Sequence, residues 1–264
     1  MKRLVICADD FGQDRAIDAG ILRLAAAGRV TAVSCLAEGA ALAADAPALR
    51  ATPASVGLHL DLTGAGGAEA PLAPLVLRAL VGAVDRRALA ARVSEQLAAF
   101  ERAVGRPPDF VDGHRHVHQL PGVRAVLLDA LAARWPGRRP LVRVPVPARP
   151  RGAKAALVAA LGGRGLRRLL ERRGYPACAD FAGVYAFDEG ADYRALARGW
   201  LASLADGGIL MCHPGEEGGA PADPIGRTRP RELGYLASAA FDEDCAAAGV
   251  ARVSVAGLAG GRGG

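Results

Sequence analysis

Three of the chain's five histidines stand at alternate positions, His114, His116 and His118, inside the stretch FVDGHRHVHQLPG. Imidazole beside carboxylate suits both metal binding and proton transfer near neutral pH, and Asp112 lies two residues before the first ring. An extended chain covers about 13 Å from residue 114 to residue 118, so one ion cannot hold both end rings unless the backbone turns between them. Gly113 permits an unusual backbone and Pro121 suits the first position of the helix PGVRAVLLDALAARW, which makes 114–120 a strand-to-helix loop. In that loop His114 is nearest the strand end and best placed to meet Asp10 and His59. His116 and His118 are left to orient it, to contact substrate or, after a turn, to supply another ligand.

Three other segments carry reactive residue types. In ADDFG, at 8–12, the adjacent carboxylates of Asp9 and Asp10 close an apolar run. They repel one another unless a cation or a cluster of donors sits beside them, although an isolated Asp-Asp pair also serves as helix-capping charge. In VGLHLDLT, at 56–63, His59 shares a strand face with Gly57, Asp61 and Thr63 while three leucines take the other face. A lone strand histidine is more often structural than catalytic. In MCHPGE, at 211–216, His213 ends a run and Pro214 and Gly215 force a turn after it, which alone reads as turn chemistry.

Positioning these residues requires a scaffold, and the chain alternates short Val/Ile/Leu runs with amphipathic stretches almost throughout. That is the signature of βα repetition and a mainly parallel sheet. Strands are predicted at 3–8, 30–36, 55–62, 109–113, 141–146, 208–213 and 250–256, with a weaker one at 181–186. Ile17, Ile21 and Leu24 repeat at helical spacing, as do Leu89, Val93, Leu97, Phe100 and Val104, with Gly105 and Pro107 placed to stop the second helix. About seven βα units predict an α/β fold, a (βα)7-like barrel with right-handed crossovers, whose chemistry gathers where the strands end. All five histidines fall at or near those ends. The connections 63–75 and 213–226, rich in Gly and Pro, follow the same ends and are expected to wall the substrate site.

The 264 residues, 51% hydrophobic and 23% charged, suffice for one large domain, expected over 1–257 with 258–264 as a flexible tail. The run LVICA stops at Asp9 and is too short for a signal-peptide core, and no run approaches a bilayer span, so a cytoplasmic protein with no transmembrane segment is expected. Five cysteines without a C-x-x-C pair read as reduced core thiols. The net charge of +6 is almost entirely arginine. Its densest run, Arg149 to Arg173, is expected as a solvated helix face. It lacks interleaved aromatics and any nucleic-acid module motif, which argues against a nucleic-acid partner.

Taken in order, ADDFG, GLHLDLT, VDGHRHVH and CHPG resemble the four signature segments of the YdjC-like carbohydrate deacetylases, the similarity running from residue 3 to about residue 250. The resemblance implies a deacetylase-type barrel holding one divalent ion, magnesium or zinc, through Asp10, His59 and His114. It also implies Asp9 as catalytic base and His213 as a candidate acid; Asp112, His116 and His118 stand beside that set, on the reading of the loop itself, as supporting residues or alternative ligands. Gly113 stands where serine is common and Arg115 where glutamine or histidine is common. The implied reaction is hydrolysis of an N-acetyl group from an amino sugar or oligosaccharide. Expected partners are that sugar and, in a homodimer, a second copy of the chain. A metal phosphoesterase or amidohydrolase is the competing enzyme class, disfavoured because the H-x-H lies mid-chain and only one segment is rich in carboxylates. A non-catalytic sugar binder is the other alternative, but it has no physical need for a base beside an open metal position.

Overall fold

The computed structural model describes residues 1–64, 70–219 and 223–259. Eight strands, β1 (Lys2–Phe11), β2 (Ala32–Cys35), β3 (Ser55–Leu60), β4 (Phe110–Gly113), β5 (Leu141–Val142), β6 (Phe181–Ala182), β7 (Gly208–Cys212) and β8 (Val250–Arg252), join one sheet. Helices α1 (Arg15–Ala26), α2 (Leu42–Arg50), α3 (Leu72–Leu80), α4 (Arg86–Val104), α5 (Val123–Arg134), α6 (Ala153–Ala160), α7 (Gly163–Arg173), α8 (Tyr193–Ser203), α9 (Arg229–Ala237), α10 (Ala239–Ala247) and α11 (Val255–Ala259) connect them. The strand order is β5-β4-β3-β2-β1-β7-β6, every pairing is parallel, and β8 pairs with the start of β1. The sheet curls into a half-barrel, and the gap between its edge strands is narrowed where the Val142 amide donates to the Pro176 carbonyl at 2.9 Å.

β1 is central because Leu4, Val5, Ile6, Cys7 and Ala8 are inaccessible to solvent, as expected for a strand covered on both faces. The helical stripes fall where their spacing requires: Ile17, Ile21 and Leu24 on α1 and Leu89, Val93, Leu97, Phe100 and Val104 on α4 are buried, and Gly105 ends α4 at φ 78°. Asp14 starts α1 by accepting from the amides of Ala16 and Ile17. Beside the site, Gly57 lets the Phe110 ring cross β3, since a Cβ there would lie 2.5 Å from ring carbons.

Several predicted boundaries are corrected. The strand predicted at 141–146 pairs only over Leu141–Val142, because the Val144 amide turns to the Cys178 sulfur at 3.3 Å and Pro145 has no amide to donate. The strand at 250–256 stops at Arg252, and Leu258 and Ala259, predicted as tail, close α11. The helix predicted from Pro121 begins at Val123, with Gly122 at φ 81° before it. Residues 65–69 and 220–222 of the two expected substrate walls, and 260–264 of the tail, lie outside the described residues. All five cysteines are free and buried. Among the described residues no helix is long and apolar enough to cross a membrane.

Candidate active site

The register of β1 against β2 shifts between Ala8 and Phe11, and Asp10 sits in the left-handed region at φ 70°. A bulge of this kind re-aims side chains, and a non-glycine residue holds such a conformation only where its surroundings fix it. The consequence is that the two adjacent carboxylates diverge. Asp9 turns to Arg143, accepting from Nη1 at 2.8 Å and Nη2 at 2.7 Å. Asp10 turns to the histidines, its Oδ1 lying 3.1 Å from His114 Nδ1 and 3.4 Å from His59 Nε2. Its other oxygen accepts from Arg229 Nη2 at 2.8 Å.

Behind His59 stands Asp112. The register His59↔Asp112 makes them neighbours across β3 and β4, and Asp112 Oδ1 lies 2.6 Å from His59 Nδ1. Ser34 of β2 donates to the same oxygen at 2.5 Å. With Nδ1 tied to a carboxylate, Nε2 is the nitrogen presented to Asp10, an arrangement found behind metal-bound histidines. Burial alone would lower the His59 pKa, but the carboxylates of Asp112, Asp9 and Asp10 outweigh it and hold it up at about 10. Burial would raise the acids, yet Arg143 and His59 keep Asp112 well below the usual carboxylate range, and Arg229, His114 and His59 do the same for Asp10.

The donor set suits a divalent cation. One donor atom from each of Asp10, His59 and His114 lies within 4.8 Å of the others, in a spot where carboxylates draw in positive charge. Asp10 and His59 are buried and His114 is partly open, so the group faces solvent on one side, as a site that must admit substrate and water requires. A second cluster, Cys7, Asp9 and Asp112, lies within the same span, but the Arg143 guanidinium already supplies its cation, 2.7 Å from Asp9 and 3.1 Å from Asp112.

The other two loop histidines go elsewhere. Residues His114–Gln119 form a tight 3-10 turn in which Arg115 and His116 take left-handed backbone at φ 50° and 60°. The period of two is thereby broken. His116 packs edge-on to Phe181 at 5.6 Å between ring centroids, and His118 Nε2 lies 2.7 Å from the Arg143 carbonyl. Burial pushes the His118 pKa down to about 4. The loop explains Gly113, because a Cβ there would lie 3.0 Å from both His118 Nδ1 and the Leu60 carbonyl. A side chain there requires His118 or the Leu60 carbonyl to give by a few tenths of an ångström.

His213 follows β7, is buried, and has its ring edge-on to Phe187 at 5.2 Å. Its amide donates to Glu232 at 2.6 Å, and Glu232 also accepts from Tyr185 at 2.7 Å. Burial lowers the His213 pKa below the ordinary imidazole value. The turn after it packs on α1, where the Glu216 amide donates to Ala16 at 2.9 Å. Sequence reasoning missed Arg143, Arg229, Ser34 and Glu232. Arg143 alone left a signal, a charged residue between Val142 and Val144 in an apolar run.

Comparison with known proteins bears on this geometry. A human protein named carbohydrate deacetylase is 38% identical over 147 residues, covering 50% of this chain and 46% of its own length. A chitooligosaccharide deacetylase of Escherichia fergusonii is 32% identical over 134 residues, 47% of this chain and 53% of that protein. The chain thus spans about half the length of the curated relatives it matches. Among solved structures, a candidate cellobiose-phosphate cleavage protein of Enterococcus faecalis V583 superposes with a TM-score of 0.70 at 20% identity, covering 97% of this chain and 98% of the other. A peptidoglycan N-acetylglucosamine deacetylase superposes at 0.57 with 10% identity, covering 97% and 87%. At such identities these structures speak for the fold alone. The family model described as YdjC-like protein matches residues 3–247, nearly the whole chain, and the chain belongs to that family.

Proposed function

We propose that this protein is a metal-dependent carbohydrate deacetylase that hydrolyses the N-acetyl group of an amino sugar or oligosaccharide. The observation that carries the reading is the divergence of two adjacent carboxylates, Asp10 toward two imidazoles and Asp9 toward a buried arginine, at the carboxyl end of the sheet. Membership of a family whose relatives are named for this activity supports it.

Asp10, His59 and His114 would hold the ion. A divalent ion there supplies a Lewis acid for the acetamide carbonyl and acidifies the attacking water. Asp9 takes the proton from that water as it attacks. Arg143 occupies one lone-pair direction on each Asp9 oxygen and the Cys7 thiol donates to Oδ1 at 3.5 Å, so the base is held in one orientation with Oδ2 left for the proton. Asp112 fixes the His59 ring. His213 delivers a proton to the leaving nitrogen; burial disfavours its charged form, so the imidazolium, once formed, gives that proton up readily. The bonds balance: the amide C–N bond breaks, a C–O bond forms, and the products are acetate and a free amine.

The cytoplasm is the location we favour, since all five cysteines are free and buried, as thiols kept in a reducing compartment are, and residues 1–257 act as one catalytic domain. The test is a screen of N-acetylated mono- and oligosaccharides, with the protein reloaded in turn with magnesium and zinc, read as acetate released. Acetate from at least one sugar with one of the metals is expected. Phosphate from a phosphate ester, with no acetate from any sugar, would assign the site to the competing chemistry.

A further inference from the structure

The end of the barrel opposite the candidate active site is concave. A cavity of about 1150 Å³ is lined by the segments that precede β3, β4, β5 and β6, and by α11. Ser55 lines it and His59 lies four residues further along the same strand, so roughly 13 Å of sheet separates it from the candidate active site. Four arginines, Arg106, Arg138, Arg139 and Arg167, face it against two acids, Asp109 and Glu171. Asp109 is already committed, taking both Arg106 nitrogens at 2.7 and 2.9 Å with Arg138 at 3.9 Å. Arg139 instead lies over the Tyr175 ring at 5.0 Å and donates to the Arg138 carbonyl, and Arg167 donates to the Cys178 carbonyl at 3.4 Å. Among the described residues neither forms an ion pair with a carboxylate.

We propose that this cavity binds a phosphomonoester, with the phosphate between Arg139 and Arg167. A dianion matches two guanidinium forks that lack acidic partners, and a concave wall of one charge sign concentrates such a ligand. The stacked Tyr175 holds Arg139 in place with the in-plane donors other than the one given to the Arg138 carbonyl available. The volume exceeds what inorganic phosphate needs and has room for a nucleoside or hexose body beside Pro176, Ala177 and Leu258. The site accounts for Arg167, a member of the arginine-rich run that the deacetylase chemistry leaves unused.

The experiment is calorimetric titration of the metal-loaded protein at low ionic strength with inorganic phosphate, adenosine monophosphate and glucose 6-phosphate. Saturable one-site binding of at least one ester is expected, tighter than that of inorganic phosphate, and the tighter ester identifies the body the cavity takes. The double variant Arg139→Gln/Arg167→Gln should weaken it about 10-fold or more while acetate release without the ester stays unchanged. Glu171→Gln removes the remaining acid and should tighten binding severalfold, a gain that misfolding cannot imitate. Equal affinity in the native protein and the double variant would place the ester elsewhere and overturn the proposal. So would an absence of saturation for both esters, or inorganic phosphate binding as tightly as either of them.

Discussion

Asp9→Asn should leave the ion bound and lower turnover by about 10²- to 10⁴-fold, the usual worth of a positioned general base. Asparagine keeps the shape of the side chain but cannot take a proton, and excess metal should not restore the rate. Asp10→Asn should behave in the opposite way. It replaces an anionic oxygen with a weaker neutral one between His59 and His114, so metal affinity falls and added metal partly restores activity. Metal content and acetate release, measured for both variants across a metal titration, separate the roles. Loss of the ion in Asp9→Asn with retention in Asp10→Asn would reverse the assignment, and full activity in both would remove Asp9 and Asp10 from the chemistry.

The other large effect is expected at Arg143. Its side chain is fully buried and is the cation for two buried carboxylates, Asp9 and Asp112. Arg143→Ala leaves both without it, and breaking a buried pair from one side costs about 3–5 kcal/mol. Chemical denaturation should show a loss of that size, with turnover falling as well. Arg143→Lys separates the two consequences. A lysine keeps the charge but cannot grip both Asp9 oxygens, so it should recover much of the stability while turnover stays at least about 10-fold down with the ion still bound. A lysine variant as active as the native protein would show that Arg143 matters for folding alone.

The parallel sheet was legible because its strands are continuous Val/Ile/Leu runs and its helices repeat apolar residues at 3.6 spacing, signals that local sequence carries directly. The gathering of Asp9, Asp10, His59, His114 and His213 at the strand ends was legible for the same reason, since the topology alone places those ends together. What was not legible depends on backbone that local pattern does not encode. The left-handed conformations at Asp10, Arg115 and His116 decide where each side chain points, and none of these three residues is a glycine that would have announced it. The sequence placed the three histidines in one strand-to-helix loop but did not say where each ring points, and the turn sends them to Asp10, Phe181 and the Arg143 carbonyl. Arg229 was hidden for a different reason, because its contact with Asp10 spans 219 residues and rests on packing around α9.

The central claim is that one divalent ion held by Asp10, His59 and His114 is required for acetate release. Metal bound per chain, measured at equilibrium in the native protein and in His59→Ala, His114→Ala and His118→Ala on samples also assayed for acetate, tests it most directly. The account predicts about one ion in the native protein, at least about a 10-fold weaker affinity and lost activity in His59→Ala and His114→Ala, and a retained ion in His118→Ala. Unchanged metal content in both His59→Ala and His114→Ala, or loss of the ion in His118→Ala alone, would contradict it.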